Sequence, residues 1–323
     1  MKVLLSAQDP GGANAVIPVA VELQKRGDAV AAMAEGAARD MCAARGIALS
    51  DMSDPDVVLL GTSGGESVEK RVLLQMRGKA PTVAVLDFWS NYWQRFSGPG
   101  TKDFKYLPDM VCVMDDIARD EMLAEGFPPE RIAVTGNPHF DHFADGITRE
   151  SEDQKRVLFI SQPIRADTKI PGLARPPSDE YDALDALCAA LPAGHMLSIR
   201  LHPRDTRNKY DRYLNSRVTI AAEPTLEEAL SHSGLVVGGA TPVLMQAAAA
   251  GKKALCYEPV IIGNDQMVSN RAGVTVRIDS PQALKAALHG YAAGEWPYQT
   301  RPLREVWPQG ATLRVVAELD RLI

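Results

Sequence analysis

The chain has 323 residues, enough for two domains that each bury a core. Hydrophobic residues make up 46% and charged residues 24%, a globular composition that excludes a disordered or fibrous chain. With 35 Lys and Arg against 41 Asp and Glu the formal charge is -6, which offers no basic surface to a nucleic acid.

Cys42, Cys112, Cys188 and Cys256 lie far apart, mostly beside apolar residues, and form no paired metal-ligand spacing. They read as reduced core thiols of a cytoplasmic protein. Gln8 and Asp9 arrive too early for the apolar region of a signal peptide, and no run of about 18 apolar residues is present to span a bilayer. Peripheral membrane association stays open at this point.

Lys2 to Ala7 predicts a buried strand, the turn Gln8-Asp9-Pro10-Gly11-Gly12 follows, and a helix runs to about Arg26 with Gly27 as its cap. The grammar repeats with strands at Ala29 to Ala34, Val57 to Leu60, Thr82 to Leu86, Met110 to Met114 and Arg131 to Thr135. Alternation of this kind predicts a parallel sheet with helices on both faces, whose ligands sit beyond the carboxyl ends of the strands. The turns after Ala7 and Leu60 point there, so Asp9, Gly11, Gly12, Glu66 and Asp87 become candidates. Leu86 to Phe96 holds Trp89 and Trp93. This aromatic segment is either a sugar-stacking surface or a hydrophobic cluster that pins a long excursion. The polar stretch Asp145 to Lys155 reads as the domain boundary, giving domains 1–145 and 146–323.

The second half restarts the pattern with strands at Arg156 to Ile160, Met196 to Leu201, Val218 to Ile220, Leu235 to Val237, Lys253 to Tyr257 and Val274 to Ile278. Gly238-Gly239-Ala240-Thr241 breaks one of them, with Thr241 as N-cap and Pro242 as first residue of an alanine-rich helix. Such a turn exposes unpaired N–H groups and the positive end of a helix dipole, which suits a phosphate. His202 ends a strand just before Pro203, a poor place for core packing. Arg204 and Asp205 either face a ligand or pair with each other. Glu258 follows the strand Lys253 to Tyr257 and faces the same side, and Asp265 and Gln266 offer an acceptor and an amide to sugar hydroxyls.

Five segments resemble the GT-B superfamily, the two-Rossmann-domain glycosyltransferases and sugar-nucleotide 2-epimerases. They are Gly136-Asn137-Pro138-His139-Phe140-Asp141, Ser161-Gln162-Pro163, Arg200-Leu201-His202-Pro203-Arg204-Asp205, Gly238-Gly239-Ala240-Thr241 with Gln246, and Asn264-Asp265-Gln266 with Asn270 and Gly273. The third is similar to the "K/R-x-H-P-R" segment of bacterial sialyltransferases, polysialyltransferases and polyglycerol-phosphate transferases. In the last, Asn270 falls one residue late. The resemblance implies two Rossmann-like α/β domains with parallel sheets facing across a cleft, the last helix crossing back to the first domain.

It further implies a glycosyltransferase, or a glycan-phosphate transferase, working on a nucleotide sugar and a surface-polysaccharide or glycolipid acceptor. A non-hydrolysing UDP-sugar 2-epimerase and a non-catalytic nucleotide-sugar or glycan binder are the alternatives. On this reading His202, Arg204, Gly238, Gly239, Thr241, Gln246, Glu258, Asp265 and Gln266 hold the donor, because charge builds on phosphate oxygens as the glycosidic bond breaks. Gln246 stands where many relatives carry a glutamate. Asp9 would be the base from the first domain, with Gly11, Gly12, Asp87 and Trp89 on the acceptor side. The superfamily's use of helix dipoles and basic residues implies no metal and no cofactor beyond the nucleotide sugar. Against the epimerase, its acidic pair is not found in the first domain, and its "D-S-G-G" turn reads Val237-Gly238-Gly239-Ala240 here.

Overall fold

A computed structural model describes residues 1–151, 153–167, 176–260, 265 and 267–323. The chain forms two compact units, one built from Met1–His142 with Trp307–Ile323 and the other from Phe143–Val306. The polar stretch expected to hold the boundary lies just past the start of the second unit.

The first unit carries seven strands: β1 (Lys2–Ala7), β2 (Ala29–Ala34), β3 (Ala48–Leu49), β4 (Val57–Leu60), β5 (Thr82–Val85), β6 (Met110–Val113) and β7 (Ile132–Val134). They pair in the order β3-β2-β1-β4-β5-β6-β7, parallel throughout. β4, β5 and β6 are buried at every residue, as continuous apolar runs covered on both faces must be. The helix Pro10–Arg26 starts with proline at a position that needs no N–H and stops at Gly27, whose φ of 95° is left-handed.

The helix Ala311–Arg321 belongs to this unit. Val315, Val316 and Leu319 share a core with Ala13, Val16, Ala20 and Leu23 of the first helix. Its start is seated on Asp141. The Asp141 Oδ1 accepts from Gly310 N at 2.9 Å and Ala311 N at 3.2 Å, and Oδ2 accepts from Thr312 N at 2.9 Å and Thr312 Oγ1 at 2.8 Å. Gly136, at φ 83°, leaves the gap this seat needs, since a Cβ there would stand 2.9 Å from Ala311 Cβ.

The second unit has β8 (Arg156–Ile160), β9 (Met196–Arg200), β10 (Val218–Ile220), β11 (Leu235–Gly238), β12 (Lys253–Tyr257) and β13 (Val276–Ile278). Their order is β10-β9-β8-β11-β12-β13, again all parallel. Asp179 opens the helix Glu180–Ala190 with a full capping box, and Thr225 and Ser280 cap the helices Leu226–Ser231 and Pro281–Ala292. In each sheet the strand order reverses once, between β1 and β4 and between β8 and β11. Those two reversals define where a ligand crevice opens at the carboxyl ends of the strands.

Candidate functional site

In the first unit the reversal brings two glycine turns against each other. A Cβ on Gly12 would lie 3.3 Å from Gly61 Cα, and one on Gly61 would lie 3.1 Å from Gly12 Cα, so the backbones pack directly. Asp87, just past β5, closes this crossing. Its Oδ1 accepts from Arg95 Nη1 at 2.6 Å and from Thr62 Oγ1 at 3.0 Å, while its Oδ2 lies where a Cβ on Gly11 would sit 2.1 Å away. A carboxylate therefore stands beside the first turn of the helix Pro10–Arg26, whose positive end favours it. That helix start is already matched by the protein's own anion.

Asp9 is the exposed N-cap residue of the same helix, yet its side chain accepts no capping hydrogen bond. Its N–H donates to Ser63 Oγ at 3.1 Å. Beneath it lies Glu69, 4% exposed, which sequence reasoning passed over. The Glu69 Oε1 accepts from Ser63 Oγ at 2.6 Å and from Gln8 N at 3.0 Å, joining the turns after β1 and β4. Its Oε2 is buried without a hydrogen-bond partner. Glu66 is exposed on the β4 turn.

Trp89 is 5% exposed, with Phe140 stacked at 5.8 Å and Trp307 tilted at 5.5 Å between ring centroids. Its Nε1 donates to Asp115, as does that of Trp307. Of the two readings of the aromatic segment, the packing matches the hydrophobic cluster, and the Trp89 ring is core rather than an open face for a sugar.

In the second unit the turn Gly238-Gly239-Ala240-Thr241 lies at the reversal and leads into the helix Pro242–Ala249. Thr241 caps it, its side chain accepting from Val243 N at 3.4 Å. Gln162, from the turn after β8, fixes the loop by donating Nε2 to Ala240 O at 3.0 Å. Its Oε1 lies where a Cβ on Gly239 would come within 2.8 Å, so a side chain there would push the Gln162 amide aside. Gln246 is half-buried on the helix.

His202 is half-buried at the end of β9. Its N–H donates to Asp205 Oδ2 at 2.9 Å, and its Nδ1 faces Arg204 N at 3.2 Å. Arg204 is exposed and makes a two-pronged pair with Asp167, not with Asp205. Of the two readings of Arg204 and Asp205, their pairing with each other is corrected. The fork reaches a carboxylate at the end of the short helix Ile164–Asp167, while Asp205 turns inward to Lys209 at 2.7 Å.

Glu258 is half-buried after β12. Burial, with the nearby Asp265 charge, pushes its carboxyl above the usual carboxylate range. Asp265 Oδ1 accepts from Met267 N at 2.8 Å, and Asn270 Nδ2 lies 3.3 Å from Oδ2. The late position of Asn270 therefore still places it on Asp265. Gln266 and Asn264 lie outside the described residues. Among the described residues no three His, Cys, Asp or Glu side chains come together as a metal-binding set, and no helix is long and apolar enough to cross a membrane.

No family model and no curated protein matches the chain. Solved structures do. The UDP-GlcNAc 2-epimerase from Neisseria meningitidis bound to UDP-GlcNAc is 15% identical over 99% of this chain and 100% of its own, with a TM-score of 0.68. The UDP-GlcNAc 2-epimerase from Methanocaldococcus jannaschii is 12% identical over the same shares, with a TM-score of 0.69. MurG of Acinetobacter baumannii is 13% identical over 99% of both chains, with a TM-score of 0.59. At such identities the likeness concerns the fold: this chain has the two-Rossmann-domain GT-B fold.

Proposed function

We propose that the protein is an enzyme acting on a nucleotide-activated sugar, and that the second unit holds the nucleotide diphosphate. The observation that carries this is the turn Gly238 to Thr241. It lies at the strand-order reversal, its glycine is pressed on Gln162, and it opens the helix Pro242–Ala249. Backbone N–H groups and a helix dipole there suit phosphate oxygens, and His202 and Glu258 stand at the ends of β9 and β12 in the same sheet. Asp265 and Gln266 are assigned to the sugar hydroxyls, and Gln246 to the ribose.

Of the possible chemistries, 2-epimerisation of a UDP-sugar comes first. The whole-length likeness to UDP-GlcNAc 2-epimerases supports it. Inversion at a carbon that bears hydrogen needs a group to take the proton and a group to return one. Asp87, fixed by Arg95, and the uncapped Asp9 are the first unit's carboxylates for that work. Transfer to a polysaccharide or lipid-linked acceptor is the second reading, supported by the Arg200-Leu201-His202-Pro203-Arg204 segment and the likeness to MurG.

Thermal melting with UDP, CDP, GDP and TDP tests the nucleotide. A ligand at 100 times its Kd adds about 2.7 kcal/mol, a shift of several degrees for a protein of this size. No stabilisation by any of them would remove the reading. Incubation with UDP-GlcNAc alone, followed by proton NMR, then separates the chemistries. An epimerase forms the C2 epimer without an acceptor, whereas a transferase leaves the sugar unchanged.

A further inference from the structure

A buried polar cluster ties together the turns that end β8 and β9, and Asp205 is its centre. Its Oδ2 accepts the Ser161 hydroxyl at 2.5 Å and the His202 N–H at 2.9 Å, and its Oδ1 takes Lys209 Nζ at 2.7 Å. Lys209 also pairs with Glu180 at 2.9 Å, and the Ser161 and Tyr210 hydroxyls lie 2.6 Å apart. The Asp205 and Glu180 side chains are 3% exposed and that of Lys209 10%. Burial alone would raise the Asp205 carboxyl, but Lys209, Ser161 and the His202 amide outweigh it and hold it below the usual range. A buried network whose members are all partnered is stiff.

The histidine ring is constrained as well. Its Nδ1 faces the backbone N–H of Arg204, which can only donate, so Nδ1 is the acceptor. A neutral imidazole that accepts at Nδ1 carries its proton on Nε2. The His202 main chain is held by Asp205 and the ring by the Arg204 N–H, and among the described residues Nε2–H makes no hydrogen bond, which leaves it to donate to a ligand.

We infer that Asp205 is a positioning residue which, through the main chain of His202-Pro203-Arg204, presents His202 as a fixed Nε2–H donor to a phosphate oxygen. The identity of that ligand rests on the proposed function; the tautomer does not. Ser161 is a strut in this arrangement, since its hydroxyl is consumed by Asp205 and Tyr210.

Long-range proton–nitrogen NMR of the uniformly 15N-labelled full chain at about pH 7.5, with and without UDP, tests the inference. In the unsubstituted protein His202 should show the Nε2–H pattern. Asp205→Asn keeps the shape but loses the charge that anchors Lys209. It should give an averaged tautomer pattern and UDP binding about tenfold weaker, a loss of about 1.4 kcal/mol. Ser161→Ala removes one strut and keeps the charge pair, so the tautomer should persist with a UDP loss of about threefold. An Nδ1–H pattern in the unsubstituted protein overturns the inference. So does an Asp205→Asn protein with unchanged pattern and affinity, or, should that variant not fold, a Ser161→Ala protein that binds UDP as the parent does. Absence of UDP binding to the parent, with the Nε2–H pattern present, would sink the nucleotide reading and leave the His202 geometry standing.

Discussion

Arg95 Nη1 lies 2.6 Å from Asp87 Oδ1 and 2.6 Å from the carbonyl oxygen of Thr62, so one guanidinium binds the strand ends of β4 and β5 together. Its Nε donates to Ser90 O at 3.0 Å, which fixes the plane of the fork. The side chains are 12% and 18% exposed, so the pair sits between a surface ion pair and a fully buried one.

Arg95→Ala should therefore cost about 2 kcal/mol of stability, above the usual exposed pair and below the buried extreme. Arg95→Lys should recover less than half, because an ammonium cannot serve Thr62, Ser90 and Asp87 in one plane. Urea unfolding of the three proteins checks both numbers.

Gly11 should tolerate no side chain. Alanine there would place Cβ 2.1 Å from Asp87 Oδ2, and Asp87 cannot retreat without leaving Arg95. Gly11→Ala should cost about 1–3 kcal/mol and, on the proposed function, lower turnover of the sugar nucleotide sharply with nucleotide affinity retained. Gly64→Ala is the matched control, since nothing lies within 4 Å of that position and its φ is ordinary. It should melt within about 0.5 kcal/mol of the parent.

The pH dependence of stability should carry the mark of His139. Burial, helped by the nearby His142, pushes its pKa down from 6.5 to about 4. The folded state keeps this imidazole neutral while the unfolded chain binds a proton, so its contribution is fully present above 6.5 and is lost as pH falls toward 4. The full shift would correspond to about 3 kcal/mol, and partial exposure brings the expectation nearer 2. His139→Asn should flatten the stability profile in that window. Below it, Glu223, held at about 2 by Arg156, loses its contribution as pH falls from 4.5 toward 2, and Glu223→Gln should remove that second slope.

Asp141→Ala should loosen one helix selectively. Its carboxylate serves three N–H groups and one hydroxyl at the start of Ala311–Arg321. Losing a charged cap of this kind should cost about 2 kcal/mol. Hydrogen exchange should speed up first in residues 311–321, ahead of β1 and β4.

The strands were legible because their runs are short, apolar and bounded by small residues, as Val57–Leu60 and Met110–Val113 illustrate. The helix start at Thr241 and Pro242 was legible from local capping chemistry. The two-residue strand Ala48–Leu49 was not, since only its pairing with β2 makes it one. Side-chain partners were harder. Arg204 sits next to Asp205 in sequence yet pairs with Asp167, because the short helix Ile164–Asp167 brings that carboxylate to its exposed fork. Glu69 gave no signal beyond a place in the first turn of the helix Val68–Met76, and its importance comes from Gln8, 61 residues away. The aromatic segment left two readings open because composition cannot say which faces of Trp89 are covered.

The seat that Asp141 makes for Ala311–Arg321 sets an order of events during synthesis. Arg26 meets Asp320 across 294 residues, and the core beside Val16 and Leu23 is finished only by Val315 and Leu319. A ribosome adding roughly 5–20 residues per second needs on the order of 10–30 s to pass from His142 to Trp307. For that interval the sheet of seven strands waits with an uncovered apolar stripe, while residues 143–306 emerge and close on themselves. The nascent chain is therefore most exposed to chaperones, and to aggregation, along the face of its first helix.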